Sequence, residues 1–254
     1  MLKAKRYKAK GKSSFVLYIF LIILLGTLVY SGYNIVEWKL NNDKNKQIKE
    51  ETSQYITIEK NEDATNEIQE KISVDFESLK QRNSDVVAWI KVNNTEIDYP
   101  VVKGKDNSYY LTHNIDKEYN KAGWIFIDYR NELNDKDLNT IIYGHNMKTN
   151  LMFGTLKNAL DDNWNNKPEN RYLTLITEQG TNKYEIFSIY EIEAEDYSIK
   201  TNLKNTEEYL MFLNKMQERS IKNFNVELTT EDRILTLSTC TNDRYHRLVV
   251  HAKK

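Results

Sequence analysis

Ile234-Leu235-Thr236-Leu237-Ser238-Thr239-Cys240, followed after a short polar gap by Arg247-Leu248-Val249-Val250-His251-Ala252, is the stretch that decides the fold. Both runs are short, apolar and rich in β-branched residues, and a polar segment separates them, so each reads as a strand. If the two form a hairpin, the six-residue loop from Thr241 to His246 brings Arg247 roughly opposite Cys240. Cys240 is the only cysteine of the chain. Upstream, Thr140-Ile141-Ile142-Tyr143-Gly144-His145 is a strand-like run that ends on a histidine. A thiol, an imidazole and a guanidinium, each at a strand tip, make a nucleophilic site.

Outward from this pair, further strand-like runs cover 86–92, 97–102, 124–128, 171–177 and 183–192. Together they give eight short strands in about 170 residues, a mainly β chain that closes or nearly closes into a barrel without sticky edges. Helices are added to it. Tyr209, Phe212, Leu213 and Met216 recur at helical spacing, with Asn205 and Glu208, or Thr206 itself, as a cap, so a helix is inserted before the last two strands. Ile68, Ile72, Phe76 and Leu79 predict an N-terminal helix on the domain, and a shorter helix is expected over 152–159.

The N-terminus is of another kind. Lys3, Lys5, Arg6, Lys8, Lys10 and Lys12 carry no acid among them, and Ser13 to Val36 is uncharged and largely apolar. At about 1.5 Å per residue that run is long enough to span a bilayer. The positive-inside rule puts residues 1–12 in the cytoplasm, 13–36 in the membrane as a single-pass signal anchor, and the rest outside. Thr27-Leu28-Val29-Tyr30 is too bulky for a signal-peptidase site. The polar, charged segment 37–66 reads as an extracellular stalk and 67–254 as the functional domain. Net charge is -1, so the chain has no electrostatic bias toward nucleic acid.

A lone cysteine outside the membrane forms no internal disulfide; it is either a small buried hydrophobe or a reactive thiol. A reactive thiol needs a base or cation beside it and a group to protonate the leaving amine. Of four histidines, His145 is preferred because it follows a glycine at a strand end; His246, in the loop between the last strands, is the competitor. Of two arginines, Arg247 is preferred over Arg244 by the hairpin argument. Glu191, Glu193, Glu195 and Asp196 read as a solvated edge and not as a calcium site, so no metal is expected. No CxxC, HExxH or glycine-rich phosphate loop occurs, and no cofactor is expected.

These residues resemble the sortases. Thr236-Leu237-Ser238-Thr239-Cys240 with Arg247 before Leu-Val-Val resembles the sortase cysteine–arginine signature. Tyr143-Gly144-His145-Asn146-Met147 with Met152-Phe153 resembles the histidine segment of class B enzymes. So do Val86 to Ile90, Ile97 to Val102, Gly104 to Leu111 and Ala122 to Asp128. The resemblance implies an eight-stranded sortase barrel outside a Gram-positive membrane, with residues 67–254 as the catalytic domain. It implies a cysteine transpeptidase that cleaves an Asn-Pro-x-Thr-(Asn/Gly) sorting signal after Thr, with His145, Cys240 and Arg247 catalytic. The implied partners are surface proteins bearing that signal and the amine of a lipid-linked peptidoglycan precursor. Asn107, Leu111, Tyr143, Tyr197, Ser238 and Thr239 match substrate-groove positions. Two alternatives stay open: an extracellular cysteine endopeptidase that passes the thioester to water, and a non-catalytic wall-binding domain with Cys240 buried.

Overall fold

The computed structural model describes residues 12–62, 68–134, 136–193, 200–201, 203, 205–240 and 246–254. The chain divides into two compact units after Asn41. The first helix, α1 (Lys12–Thr52), crosses that division. It holds no proline, and its large apolar side chains from Phe15 to Val36 are exposed. It is the one described helix long and apolar enough to cross a membrane.

Within the second unit, Asn42, Asn45, Ile48 and Thr52 of α1 are buried. This departs from a stalk over 37–66, since from Asn42 onward the segment belongs with the barrel. The reason is polar. Asn45 and Asn120 exchange amide hydrogen bonds, Asn120 donating at 2.9 Å, and Asn45 also donates to the Gly123 carbonyl at 3.3 Å. A buried face made of asparagine carries no apolar stripe to read.

After α1 come the antiparallel strands β1 (Ile56–Glu62) and β2 (Ile68–Val74), then α2 (Phe76–Arg82). The helical spacing of Ile68 and Ile72 therefore misleads. Ile72 faces Ile58 across a strand pair, and the helix starts only at Phe76, where the Asp75 carboxylate accepts from the Ser78 N–H at 3.0 Å. Such a cap contributes about 1 kcal/mol.

The barrel is closed by β3 (Val86–Val92), β4 (Asp98–Lys103), β5 (Phe126–Ile127), β6 (Asn139–Gly144), β7 (Tyr172–Thr177), β8 (Gly180–Glu193), β9 (Ile234–Cys240) and β10 (His246–Lys253), in the order β10-β8-β7-β3-β4-β5-β6-β9. Two neighbour pairs, β4–β5 and β6–β9, are parallel and the others antiparallel. Every strand expected from the sequence is present, with ends shifted by a few residues. Trp89, Trp124, Tyr99 and Phe126 are fully buried in the core, each worth about 2–3 kcal/mol of transfer free energy.

A short helix α3 (Asp162–Asn165) follows β6, and α4 (Thr206–Arg219) lies between β8 and β9. The expected helix over 152–159 is instead a 3-10 turn at Leu156–Leu160, because Met152 has a φ of 52° that no α-helix accepts. The α4 helix is capped as expected, Asn205 accepting from the Glu208 N–H at 2.8 Å, and buries Tyr209, Phe212, Leu213 and Met216.

Candidate active site

Strand register brings the three predicted groups together. Arg247 on β10 pairs with Cys240 on β9. Gly144, the last residue of β6, pairs with Thr239 on β9; His145 comes just past the end of β6, and Cys240 is the last residue of β9. Cys240 and Arg247 are thus register partners, and His145 directly follows the strand paired with β9 on its other side. Arg247 is half-buried, as is His145.

His145 is held by its backbone surroundings. Its Nε2 lies 2.8 Å from the Leu111 carbonyl, which only accepts, so Nε2 carries a proton and proton exchange is left to Nδ1. Behind it, Gly144 is required: a Cβ there would sit 2.8 Å from the Phe153 ring. Phe153 in turn donates its N–H to the His145 carbonyl at 3.0 Å. The Leu111 backbone is similarly fixed, because Gly123 (φ 56°) approaches it so closely that a Cβ would lie 2.7 Å from the Leu111 oxygen.

One wall beside the histidine is polar. The Asp128 carboxylate, fully buried just past β5, accepts five hydrogen bonds. Arg130 donates from its backbone (3.0 Å), Nε (2.8 Å) and Nη2 (2.7 Å), Asn107 from Nδ2 (2.9 Å) and Tyr143 from its hydroxyl (3.0 Å). Burial pushes the Asp128 carboxyl up, but the Arg130, Asn107 and Tyr143 bonds outweigh it and hold the acid below the usual carboxylate range. Burial, then the Asp128 charge, push the Tyr143 phenol above its ordinary range. On β9, Ser238 pairs with Tyr143 and its buried hydroxyl has no hydrogen-bond partner among the described residues.

The sortase domain family matches residues 90–254. Sortase B of Listeria monocytogenes is 35% identical over 237 residues, 91% of this chain and 94% of its own. The chain belongs to the sortase family. Like its class B relatives, this sortase is a cysteine transpeptidase of the cell wall, and its single thiol is Cys240. Sortase B of Staphylococcus aureus is 35% identical over 236 residues, 91% of this chain and 93% of its own. Among solved structures, Clostridium perfringens sortase B is 43% identical with a TM-score of 0.66, covering 70% of this sortase and 97% of that chain. Bacillus anthracis sortase B is 36% identical with a TM-score of 0.73, covering 84% and 97%.

Asn107, Leu111, Tyr143, Ser238 and Thr239 of the expected groove lie on the segments just described; Tyr197 and Arg244 fall outside the described residues. Thr239 is buried at Gly144's side, with its backbone in the β9 ladder. His246 pairs with Glu193 at the start of β10. His251 is fully buried and belongs to a separate network. His113 is half-buried and stacks on Tyr109 at 4.1 Å. Sequence reading missed Asp128 and Arg130 in this sortase. An acid two residues before an arginine is too common a pattern to single out.

Proposed function

We propose that this sortase is membrane-anchored and cleaves a C-terminal sorting signal of the Asn-Pro-x-Thr-(Asn/Gly) type after Thr, then joins the protein to a peptidoglycan precursor amine. The observation that supports the catalytic assignment is the register, which pairs Arg247 with Cys240 and pairs Gly144, the residue before His145, with Thr239, the residue before Cys240. The Cys240 thiolate attacks the threonine carbonyl. Arg247, with a backbone N–H near Cys240, stabilises the oxyanion. The C–N bond breaks as the imidazolium of His145 gives its Nδ1 proton to the departing amine, leaving a thioester. The precursor amine attacks that thioester, His145 takes its proton, and the C–S bond breaks to release the Cys240 thiolate, which restores the starting thiolate–imidazolium pair. Nδ1 suits the role because Nε2 is engaged by the Leu111 carbonyl.

The groove includes Asn107, Leu111, Tyr143, Tyr197, Ser238 and Thr239. The unpartnered Ser238 hydroxyl favours this, since a buried hydroxyl without a partner is costly unless a ligand completes it. The exposed apolar stretch of α1 supports an anchor over 13–36, with residues 1–12 cytoplasmic and the catalytic unit outside. The proteins attached are those bearing the signal, and the acceptor is the amine of a lipid-linked precursor.

The test uses the full chain in detergent micelles with Asn-Pro-x-Thr-Gly and Asn-Pro-x-Thr-Asn peptides. An acyl adduct on Cys240, seen by intact mass, that oligoglycine or a diaminopimelate-type amine converts to ligated peptide is the expected result, and Cys240→Ala abolishes it. Release to water alone, unaffected by amine, points to an endopeptidase. Absence of any adduct sinks the sorting-signal assignment.

A further inference from the structure

The buried face of α1 within the second unit is polar where a docked helix is ordinarily apolar. Of Asn42, Asn45, Ile48 and Thr52, only Ile48 is apolar. Apolar contact is non-directional, whereas hydrogen bonds fix distance and angle. These bonds reach the surroundings of His145 from two sides. Asn45 donates to the Gly123 carbonyl and exchanges amide bonds with Asn120. The segment so gripped lies directly behind the carbonyl that His145 uses. The Trp124 N–H donates to the Tyr110 carbonyl at 2.9 Å and the Asn120 N–H to the Thr112 carbonyl at 2.8 Å. Between them, Gly123 leaves no room for a Cβ against the Leu111 backbone.

The second side is the loop that begins at His145. It folds back so that Met147 and Phe153 both donate to the His145 carbonyl, at 3.1 and 3.0 Å, and Asn146 bridges Met152. The helix holds this loop at two points. Asn42 Oδ1 accepts from the Thr149 hydroxyl at 3.0 Å. Lys49 pairs with Glu96 at 2.9 Å and lies 5.0 Å over the Tyr99 ring, whose hydroxyl accepts from the Met152 N–H at 3.1 Å. Residues 42, 45 and 49 stand at helical spacing on one face, so one helix sets both the acceptor of the imidazole and the loop that bears it. We propose that Asn42 and Asn45 are positioning residues: through Thr149, and through Asn120 and Gly123, they hold His145 against the Leu111 carbonyl in the orientation that leaves Nδ1 for proton transfer. This rests on the reading of His145 as the proton carrier. A catalytic group acts only when held within about 0.5 Å of its productive geometry, so slack in either tie is felt in the chemical step and not in peptide binding.

The test uses the full chain in micelles and an Asn-Pro-Ala-Thr-Asn peptide, with kcat and KM measured per folded molecule well below the melting temperature. Asn45→Ala is expected to lower kcat about tenfold and to keep KM within about twofold. Thr149 is exposed, so Thr149→Val removes its hydroxyl at little cost to folding; it is expected to lower kcat about threefold, and Thr149→Ser to restore it. Gln47→Ala, on the exposed face of the same helix, is expected to leave both constants unchanged. A second readout needs no substrate. In enzyme carrying isotope-labelled histidine, read by NMR at a pH where the His145 ring is neutral, the parent is expected to keep the proton on Nε2. In Asn45→Ala the Nε2 and Nδ1 resonances are expected to move toward each other as the proton divides between them. A merely structural loss lowers the melting temperature and leaves that pattern alone. Parent-like kcat in both Asn45→Ala and Thr149→Val overturns the positioning role, and so does a lowered kcat with unmoved resonances. If His145→Ala retains activity, the catalytic reading falls and takes this one with it; an inactive His145→Ala beside fully active Asn45→Ala and Thr149→Val overturns this one alone. If the parent does not acylate the peptide, the sorting-signal reading falls and the resonances decide this one.

Discussion

His145, just past the end of β6, and His251, within β10, are opposites in chemistry. His145 is half-buried, gives its Nε2–H to a backbone carbonyl, and its Nδ1 has no hydrogen-bond partner among the described residues. His251 is fully buried and commits both nitrogens. Thr236 donates its only hydroxyl proton to Asn139 Oδ1 at 2.7 Å, so at 2.8 Å it must accept from His251 Nδ1–H. Tyr190, at 2.9 Å, then supplies a donor to Nε2. Burial, and secondarily Arg219, pull the His251 imidazole down to about 3. The pair teaches that a histidine's role is set by which nitrogens the fold consumes. On the proposed mechanism the His145 tautomer leaves a nitrogen for proton transfer, whereas His251 is closed into a neutral strut against α4.

The sharpest break between them is expected in activity. Replacing His145 with Ala is expected to lower kcat/KM by about 10²–10⁴-fold, with little change in melting temperature. A variant that loses thermal stability in proportion to activity would make His145 a structural residue too. Replacing His251 with Ala is expected to do the reverse. It leaves Thr236, Tyr190 and a cavity unfilled, so the expected loss is about 2–4 kcal/mol in chemical denaturation, with activity per folded molecule retained.

Acid sharpens the contrast. The folded-state pKa of His251 lies below its ordinary value of about 6.5, so the unfolded chain takes up a proton that the native state refuses. Stability from this group is full above about pH 6.5 and falls by about 1.4 kcal/mol per pH unit as pH drops toward 3. Asp128 joins only below the ordinary aspartate value of about 3.9, since its folded pKa is depressed. Denaturation between pH 7 and 4.5 is expected to show the His251 slope, and His251→Gln to flatten it; an unflattened slope assigns it elsewhere. The smallest effect is Thr236→Val, which strips His251 Nδ1–H of its acceptor and is expected to destabilise by about 1–2 kcal/mol.

Legibility followed chemistry. The barrel strands could be read because β-branched runs between polar turns have few other outcomes, and Asn205 announced α4 because a side-chain cap is local. The Cys240–Arg247 register followed from loop length alone. What escaped lies in pairings between distant residues. Asn45 docks through Asn120, and Ile68–Val74 became a strand because Ile56–Glu62 was there to pair with it. Asp128 gathers Asn107 and Tyr143 from two other segments. No window of sequence contains those partners.

The strand order carries a last consequence, for the order of assembly. The β9 strand that bears the thiol joins β6 across about ninety residues of chain and joins β10 on its other side. Contacts of such separation form late in folding. A chain emerging from synthesis therefore carries its cysteine before it has a partner histidine or arginine level with it. On the proposed mechanism the site is therefore assembled only when the barrel closes, and a half-folded chain lacks it.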